Sequence, residues 1–382
     1  MHTSARSFFA QIVAGVFIFA PLAVAQDKPA PPAAPKPVET PGVQPAAAPG
    51  KPITKPSGLV IEDIAVGTGA EVKRGNWFVV HHICMNKSSG DEFQNTYRSG
   101  KAEGLALREG KNGVVKGWVE GIPGMKVGGK RRLTVPAALA YGDQEFKEGA
   151  KVVIPANSDL IYEIELVDIL IVEDIQVGTG LECKPGGAVV ANYKGTFKSD
   201  GRELDSSEKH GGPMAFSLNR VIRGWTEGLP GMKIGGKRKL TIPYAFAYGD
   251  AGRPPRIPGK SDLVFEIELV NVLEIVDEKV GEGAEVPVPT PGAPAPTVKV
   301  NYRGTLKEGG REFDSSYKRN EPISFALDGV INGWQWGIPG MKVGGKRKLI
   351  IPWQMAYGER GSPPDIGPKA DLVFEVELLE VK

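Results

Sequence analysis

Nine residues near the C-terminus stand out by type and spacing: Tyr302, Phe313, Asp314, Val330, Ile331, Trp334, Tyr357, Ile366 and Phe374. They set a single carboxylate among aromatic and aliphatic groups. A carboxylate in such company is costly unless paired, and Tyr302 or Arg319 offers a partner. No nucleophile is needed for such a set to act. Aromatic residues at fixed spacing also serve as plain core. Phe216 and Phe325 read that way.

Other chemistries fit less well. Serine hydrolysis needs a nucleophile, a base and an orienting acid, yet past residue 25 the only histidines are His81, His82 and His210. His81 and His82 are neighbours on an expected strand and point to opposite faces, so they do not share a metal ion. Gly124 to Lys130, Gly231 to Lys237 and Gly340 to Lys346 match the start of a Walker A loop. Arg131, Arg238 and Arg347 then stand where a Ser or Thr hydroxyl is required. The basic runs 130–132, 237–239 and 346–348 read as solvated turns entering strands. With 47 basic and 45 acidic side chains, the net charge of +2 provides no field for nucleic acid or acidic membranes. No cofactor, no metal and no nucleic-acid partner is expected.

The elements that must position these residues follow from an internal repeat. Gly333-Trp334 through Gly337-Ile338-Pro339-Gly340-Met341 has counterparts at Gly224-Trp225 and Gly117-Trp118, at offsets of 109 and 107 residues. From each of these tryptophans to Tyr141, Tyr248 and Tyr357 the interval is 23 residues. Periods of this length imply tandem globular domains rather than a solenoid. Each unit closes on strict alternation, as in Leu372-Val373-Phe374-Glu375-Val376-Glu377-Leu378, which predicts a β-strand with one buried face. Glycines and prolines, 50 and 32 of 382 residues, argue against a helical bundle. The one helical pattern is short: Ile222, Trp225 and Leu229, ending at Pro230-Gly231. The expected fold class is α+β, three tandem domains, each a twisted antiparallel sheet around one short helix.

The domain map is 1–25 a signal peptide, 26–56 a Pro/Ala-rich disordered linker, and 57–170, 171–273 and 274–382 the three units. Arg6, the apolar run Phe8 to Phe19 and Ala23-Val24-Ala25 carry the leader reading. The run is too short to span a bilayer, so no stable membrane anchor is expected after cleavage. Ten prolines and six alanines in 26–56 favour an extended tether. Cys84 and Cys183 fall in different units, and both are read as free thiols.

Through Phe313-Asp314-Ser315-Ser316, Val330-Ile331-Asn332-Gly333-Trp334, Met341-Lys342-Val343-Gly344, Ala356-Tyr357-Gly358 and Leu372-Val373-Phe374, the chain resembles FKBP-type peptidyl-prolyl cis/trans isomerases over roughly residues 57–382. The resemblance implies that Trp334 floors a pocket, that Tyr302, Phe374 and Val330 wall it, that Ile331 offers its backbone N–H, and that Tyr357 hydrogen-bonds a substrate carbonyl. Asp314 would sit beside Tyr302. Phe313, Ile323 and Ile366 complete the lining. In the second unit the matching residues are Tyr193, Leu204, Asp205, Met214, Val221, Ile222, Trp225, Tyr248, Ile257 and Phe265. Leu204, Met214 and Ile323 replace usual aromatics, and His210 stands where the third unit has Arg319. The first unit departs further. It keeps Phe93, Val114, Val115, Trp118, Tyr141, Ile154 and Tyr162, but has His82 for the tyrosine and Gln94 for the aspartate. Four extra residues lie between His82 and Trp118, and four more between Tyr141 and Ile154. Weak or absent catalysis is expected there.

By this resemblance the activity is prolyl isomerisation, by stabilising a twisted X-Pro amide without covalent chemistry. The partners are X-Pro segments of unfolded or newly translocated proteins, with macrolides such as FK506 as further ligands. The leader implies an exported protein, periplasmic or secreted. The alternative is a holdase or proline-peptide binding protein with little turnover.

Overall fold

The computed structural model describes residues 50–382 apart from 111–112, 150 and 290–292. The expected leader and most of the expected tether lie outside the described residues. Ile53–Thr54, near the end of the stretch read as linker, is a two-residue strand paired antiparallel with Val60–Ala65.

Each repeat forms one antiparallel sheet. In the third, the strands lie in the order Glu274–Lys279, Lys346–Ile351, Leu372–Val381, Thr297–Leu306 and Glu312–Ser315, and Ile323–Ala326 also pairs with Thr297–Leu306. The second sheet has the same order, from Ile171–Gln176 through Lys237–Ile242, Leu263–Val272 and Ala188–Phe197 to Glu203–Ser206, with Met214–Ser217 in the side position. The first differs by the extra edge strand Ile53–Thr54. The closing strands alternate as expected. Leu372, Phe374, Val376 and Leu378 are buried, while Val373, Glu375 and Glu377 lie on the other face. The strand also runs on to Val381, beyond the clean alternation, through a bulge opposite Lys299 and Val300.

One six-residue helix packs on each sheet: Lys116–Gly121, Arg223–Gly228 and Asn332–Gly337. A helix this short does not hold itself together. Its glycines let it press on the strands. A Cβ on Gly333 would lie 2.4 Å from Ile351 Cγ2, and one on Gly337 2.7 Å from Leu349. At its C-terminal end the Arg347 Nη1 donates to the carbonyls of Gly337 (2.7 Å) and Pro339 (3.1 Å), while Nε and Nη2 grip the Asp277 carboxylate at 2.6 and 3.1 Å. Arg131 with Asp63 and Arg238 with Asp174 repeat the arrangement. The reading of the basic runs as solvated turns is corrected here. Each run is the opening of a strand, Lys130–Val135, Lys237–Ile242 or Lys346–Ile351, and its middle arginine is buried and ties the helix end to the neighbouring strand that carries the aspartate.

Cys84 and Cys183 are free and buried in separate cores. Successive sheets are joined by single residues: Leu160–Ile169 is followed by Leu170 and then Ile171–Gln176, and Leu263–Val272 by Leu273 and then Glu274–Lys279.

Candidate prolyl-binding pockets

The contact between helix and sheet collects the expected residues. In the third repeat Tyr302, Trp334, Ile366 and Phe374 are buried in one cluster, with Phe313, Ile323, Val330, Ile331 and Tyr357 half-buried against it. The Trp334 indole forms the base. Tyr302 and Phe374 meet it nearly edge-on, with ring centroids 5.4 and 5.0 Å away, and Phe313 stands edge-on to Phe374 at 5.5 Å. Strand register explains why they meet. Gly304 lies opposite Phe374, and a Cβ there would sit 2.7 Å from Phe313 and 2.8 Å from Phe374, so only glycine leaves room for both rings. Ile331 is the extended residue just before the helix, with φ −60° and ψ 149°. Its N–H takes no partner among the described residues.

The carboxylate is fully paired. Tyr302 Oη donates to Asp314 Oδ2, Arg319 Nη1 donates to Asp314 Oδ1, Arg319 Nη2 reaches Tyr302 Oη at 2.8 Å, and the Ser315 N–H closes on Asp314 Oδ1 at 2.8 Å. Burial, reinforced by the Asp314 carboxylate, pushes the Tyr302 phenol up to about 12. Tyr302 is thus a neutral donor at any physiological pH. Burial likewise raises Tyr357, whose hydroxyl has no partner among the described residues and is free to donate to a guest.

The second pocket has the same plan. Trp225, Ile257 and Phe265 are buried, and Tyr193, Leu204, Val221, Ile222 and Tyr248 pack on them. Tyr193 Oη donates to Asp205 at 2.8 Å and lies 3.9 Å from Met214 Sδ, and His210 Nε2 is 3.1 Å from Asp205. Burial opposes ionisation of Asp205, but the bonds from Tyr193 and His210 prevail and hold its carboxyl below the ordinary value.

In the first pocket Trp118, Ile154 and Tyr162 are buried with Phe93, Val114 and Val115 against them. Tyr141 stands outside the cluster and leans on Phe146 at 5.8 Å. The four-residue insertion before Ile154 has become a hairpin, Phe146–Glu148 with Lys151–Ile154. His82 lies edge-on to Trp118 at 5.4 Å and is 2% exposed. His81 turns to the opposite face and stacks on Tyr97.

Three features were not anticipated from sequence. A carboxylate survives in the first pocket, moved to the next strand. Glu103 occupies the register position of Met214 and Ile323, with Oε2 3.5 Å from His82 Nε2 and 3.4 Å from Gln94 Nε2. Burial holds the His82 imidazole below its ordinary value, with Glu103 pulling the other way. Second, Cys84 stands where the other repeats have Gly195 and Gly304, and fills the space against Tyr162. Third, Phe216 and Phe325, read as plain core, do pack on the second and third cores but are only half-buried and lie 5.2 Å from the base tryptophans.

The model of the family described as "FKBP-type peptidyl-prolyl cis-trans isomerase" matches residues 69–167, 180–270 and 289–379. The chain belongs to this family, as three tandem domains. It is 31% identical over 347 residues to the human protein named peptidyl-prolyl cis-trans isomerase FKBP10, a match covering 85% of this chain and 58% of that one. The chain thus spans little more than half the length of this relative. Peptidyl-prolyl cis-trans isomerase FPR2 of Saccharomyces cerevisiae is 58% identical over 91 residues, 23% of this chain and 67% of the yeast protein. Among solved structures, FkpA from Escherichia coli is 50% identical, covering 29% of this chain and 48% of that one with a TM-score of 0.26.

Proposed function

We propose that the chain is a peptidyl-prolyl cis/trans isomerase whose second and third pockets turn over X-Pro bonds and whose first pocket binds with little turnover. The observation that carries this reading is the third pocket: a base of Trp334 edged by Tyr302 and Phe374, with its only carboxylate already paired. Nothing in such a pocket is charged and unpaired, so it accepts an apolar ring without having to desolvate a free ion.

Rotation about an X-Pro bond crosses about 18–20 kcal/mol. Water bound to the amide oxygen favours the planar, charge-separated form. Moving the amide into the cup removes that water and favours the twisted form, while the Ile331 N–H and the Tyr357 hydroxyl supply donors at the rim. A 10⁵-fold acceleration asks for roughly 7 kcal/mol of differential stabilisation. No bond is broken, and Asp314 acts by fixing the Tyr302 ring rather than by moving a proton.

The leader-like residues 1–25 support export, and the substrates are then X-Pro segments of chains newly delivered to the same compartment. Macrolides such as FK506 would compete for the same cups. For the first repeat, holding without turnover is favoured by the half-exposed Glu103 at its wall and by the buried Tyr162 hydroxyl, which has no partner among the described residues.

The test is isomerisation of a Leu-Pro peptide by the full chain, with Tyr302→Phe and Asp314→Ala, with Tyr193→Phe and Asp205→Ala, and with both pairs. Each pair alone leaves activity from the other pocket, and both together remove nearly all of it. Full activity in the combined variant overturns the reading. Loss of turnover with retained suppression of aggregation assigns holding to the first repeat.

A further inference from the structure

The reverse face of the first sheet is built to receive the second repeat. Along Trp77–Asn86 the run Trp77-Phe78-Val79-Val80 is apolar on both faces. Phe78 and Val80 enter the first core, whereas Val79, fully buried, belongs to the core cluster of the second repeat. Phe246, in the turn Tyr244–Phe246, packs edge-on to Trp77 at 6.0 Å and is likewise fully buried. A Cβ on Gly104 would lie 2.6 Å from its ring. Arg223 seals the contact: Nη1 donates to the Gly104 carbonyl at 2.7 Å, and the guanidinium lies 4.7 Å from the Trp77 ring centroid and 5.1 Å from that of Phe246.

The joint is used twice. At the second junction Ala188 and Val190 stand at the register positions of Trp77 and Val79, and Met355 takes the place of Phe246, fully buried. The connecting residues lock in the same manner, Leu170 N–H to the Trp77 carbonyl at 2.8 Å and Leu273 N–H to the Ala188 carbonyl at 2.9 Å. In the third repeat the matching face carries Thr297, Lys299 and Ser324, and the apolar seat is absent.

Both elements held at the first junction carry the rim of the second pocket. Arg223 opens the helix directly after Ile222, and Phe246 lies two residues before Tyr248. We propose that the first repeat is a brace for the second, and that Arg223 is a positioning residue that fixes the Ile222 N–H and Tyr248 through its grip on Gly104 and Trp77. The catalytic part of this inference rests on the second pocket being active, whereas the brace itself is read without turnover.

The experiment uses the full chain with the third pocket disabled by Tyr302→Phe and Asp314→Ala. Gly104→Val wedges the joint from the outside of the first sheet. Arg223→Lys weakens it without adding bulk. Each variant is expected to shift the amide resonances of Ile222 and Tyr248 and to split the joint thermal unfolding of the first two repeats. Each should also lower kcat/KM on the order of tenfold, the scale of coupling through packed networks. Gly104→Val combined with Phe246→Ala restores room and returns all three readouts toward the parent. Unmoved Ile222 and Tyr248 resonances in both variants overturn the brace. Moved resonances with unchanged turnover overturn the positioning role. A parent with no turnover at all sinks the proposed function of the second pocket, and the resonances and melting still decide the brace.

Discussion

Arg347→Met separates two physical accounts of the basic triplets. If Lys346-Arg347-Lys348 were a solvated turn, replacing any member would matter little, since surface changes usually stay within about 0.5 kcal/mol. The Arg347 side chain is instead 8% exposed and holds four acceptors. Met keeps the volume and removes every donor. The Asp277 carboxylate is 43% exposed and can be rehydrated, so its loss of partner adds little. The carbonyls of Gly337 and Pro339 sit under the helix end, and a buried acceptor left unpaired costs about 1–3 kcal/mol. The two together give about 2–6 kcal/mol. For a unit of roughly 100 residues that is a fall of about 10–30 °C in the unfolding of the third repeat. The assay is thermal and urea unfolding of the full chain, followed by tryptophan fluorescence, with Lys346→Met as the comparison. A loss below about 1 kcal/mol for Arg347→Met, or equal losses for both variants, refutes the clamp. Because the helix carries Trp334, prolyl turnover by the third pocket should fall along with stability.

Two further outcomes follow from the packing. Gly333→Ala places a Cβ 2.4 Å from Ile351 Cγ2 and should destabilise the third repeat by about 1–3 kcal/mol, seen as a lower urea midpoint with an unchanged slope. Burial keeps His82 neutral in the folded first repeat, whereas the unfolded chain takes up a proton there near pH 6.5. The unfolded state therefore binds more protons as the pH falls below about 6.5, and the first repeat loses stability through that window. His82→Phe should flatten the dependence, and a parent chain whose melting ignores pH between 7 and 5 would contradict the burial argument.

The repeat and the strands were legible in sequence because each rests on local spacing: 23 residues from tryptophan to tyrosine, and period two in the closing strands. What escaped notice depends on contacts between distant segments. A Lys-Arg-Lys run reads as surface charge, and only the fold carries its middle member inward to carbonyls eight and ten residues away. Glu103 was passed over because its counterparts are Met214 and Ile323, so no motif marks it; it meets His82 only through the pairing of neighbouring strands. The seat for the second repeat did leave a trace. Trp77-Phe78-Val79-Val80 and Ala188-Val189-Val190-Ala191 are apolar throughout, whereas Thr297-Val298-Lys299-Val300 alternates, and continuous apolarity in a strand marks two buried faces.

Joints of one residue, Leu170 and Leu273, leave no slack between neighbouring repeats. A flexible string of pockets would raise the local concentration of every second prolyl bond on a bound client, whatever its spacing. A stiff one rewards only clients whose prolines fall at the matching separation and gives no avidity to the rest. If the pockets act as proposed, selectivity among multi-proline chains follows from the joints rather than from any pocket's own affinity.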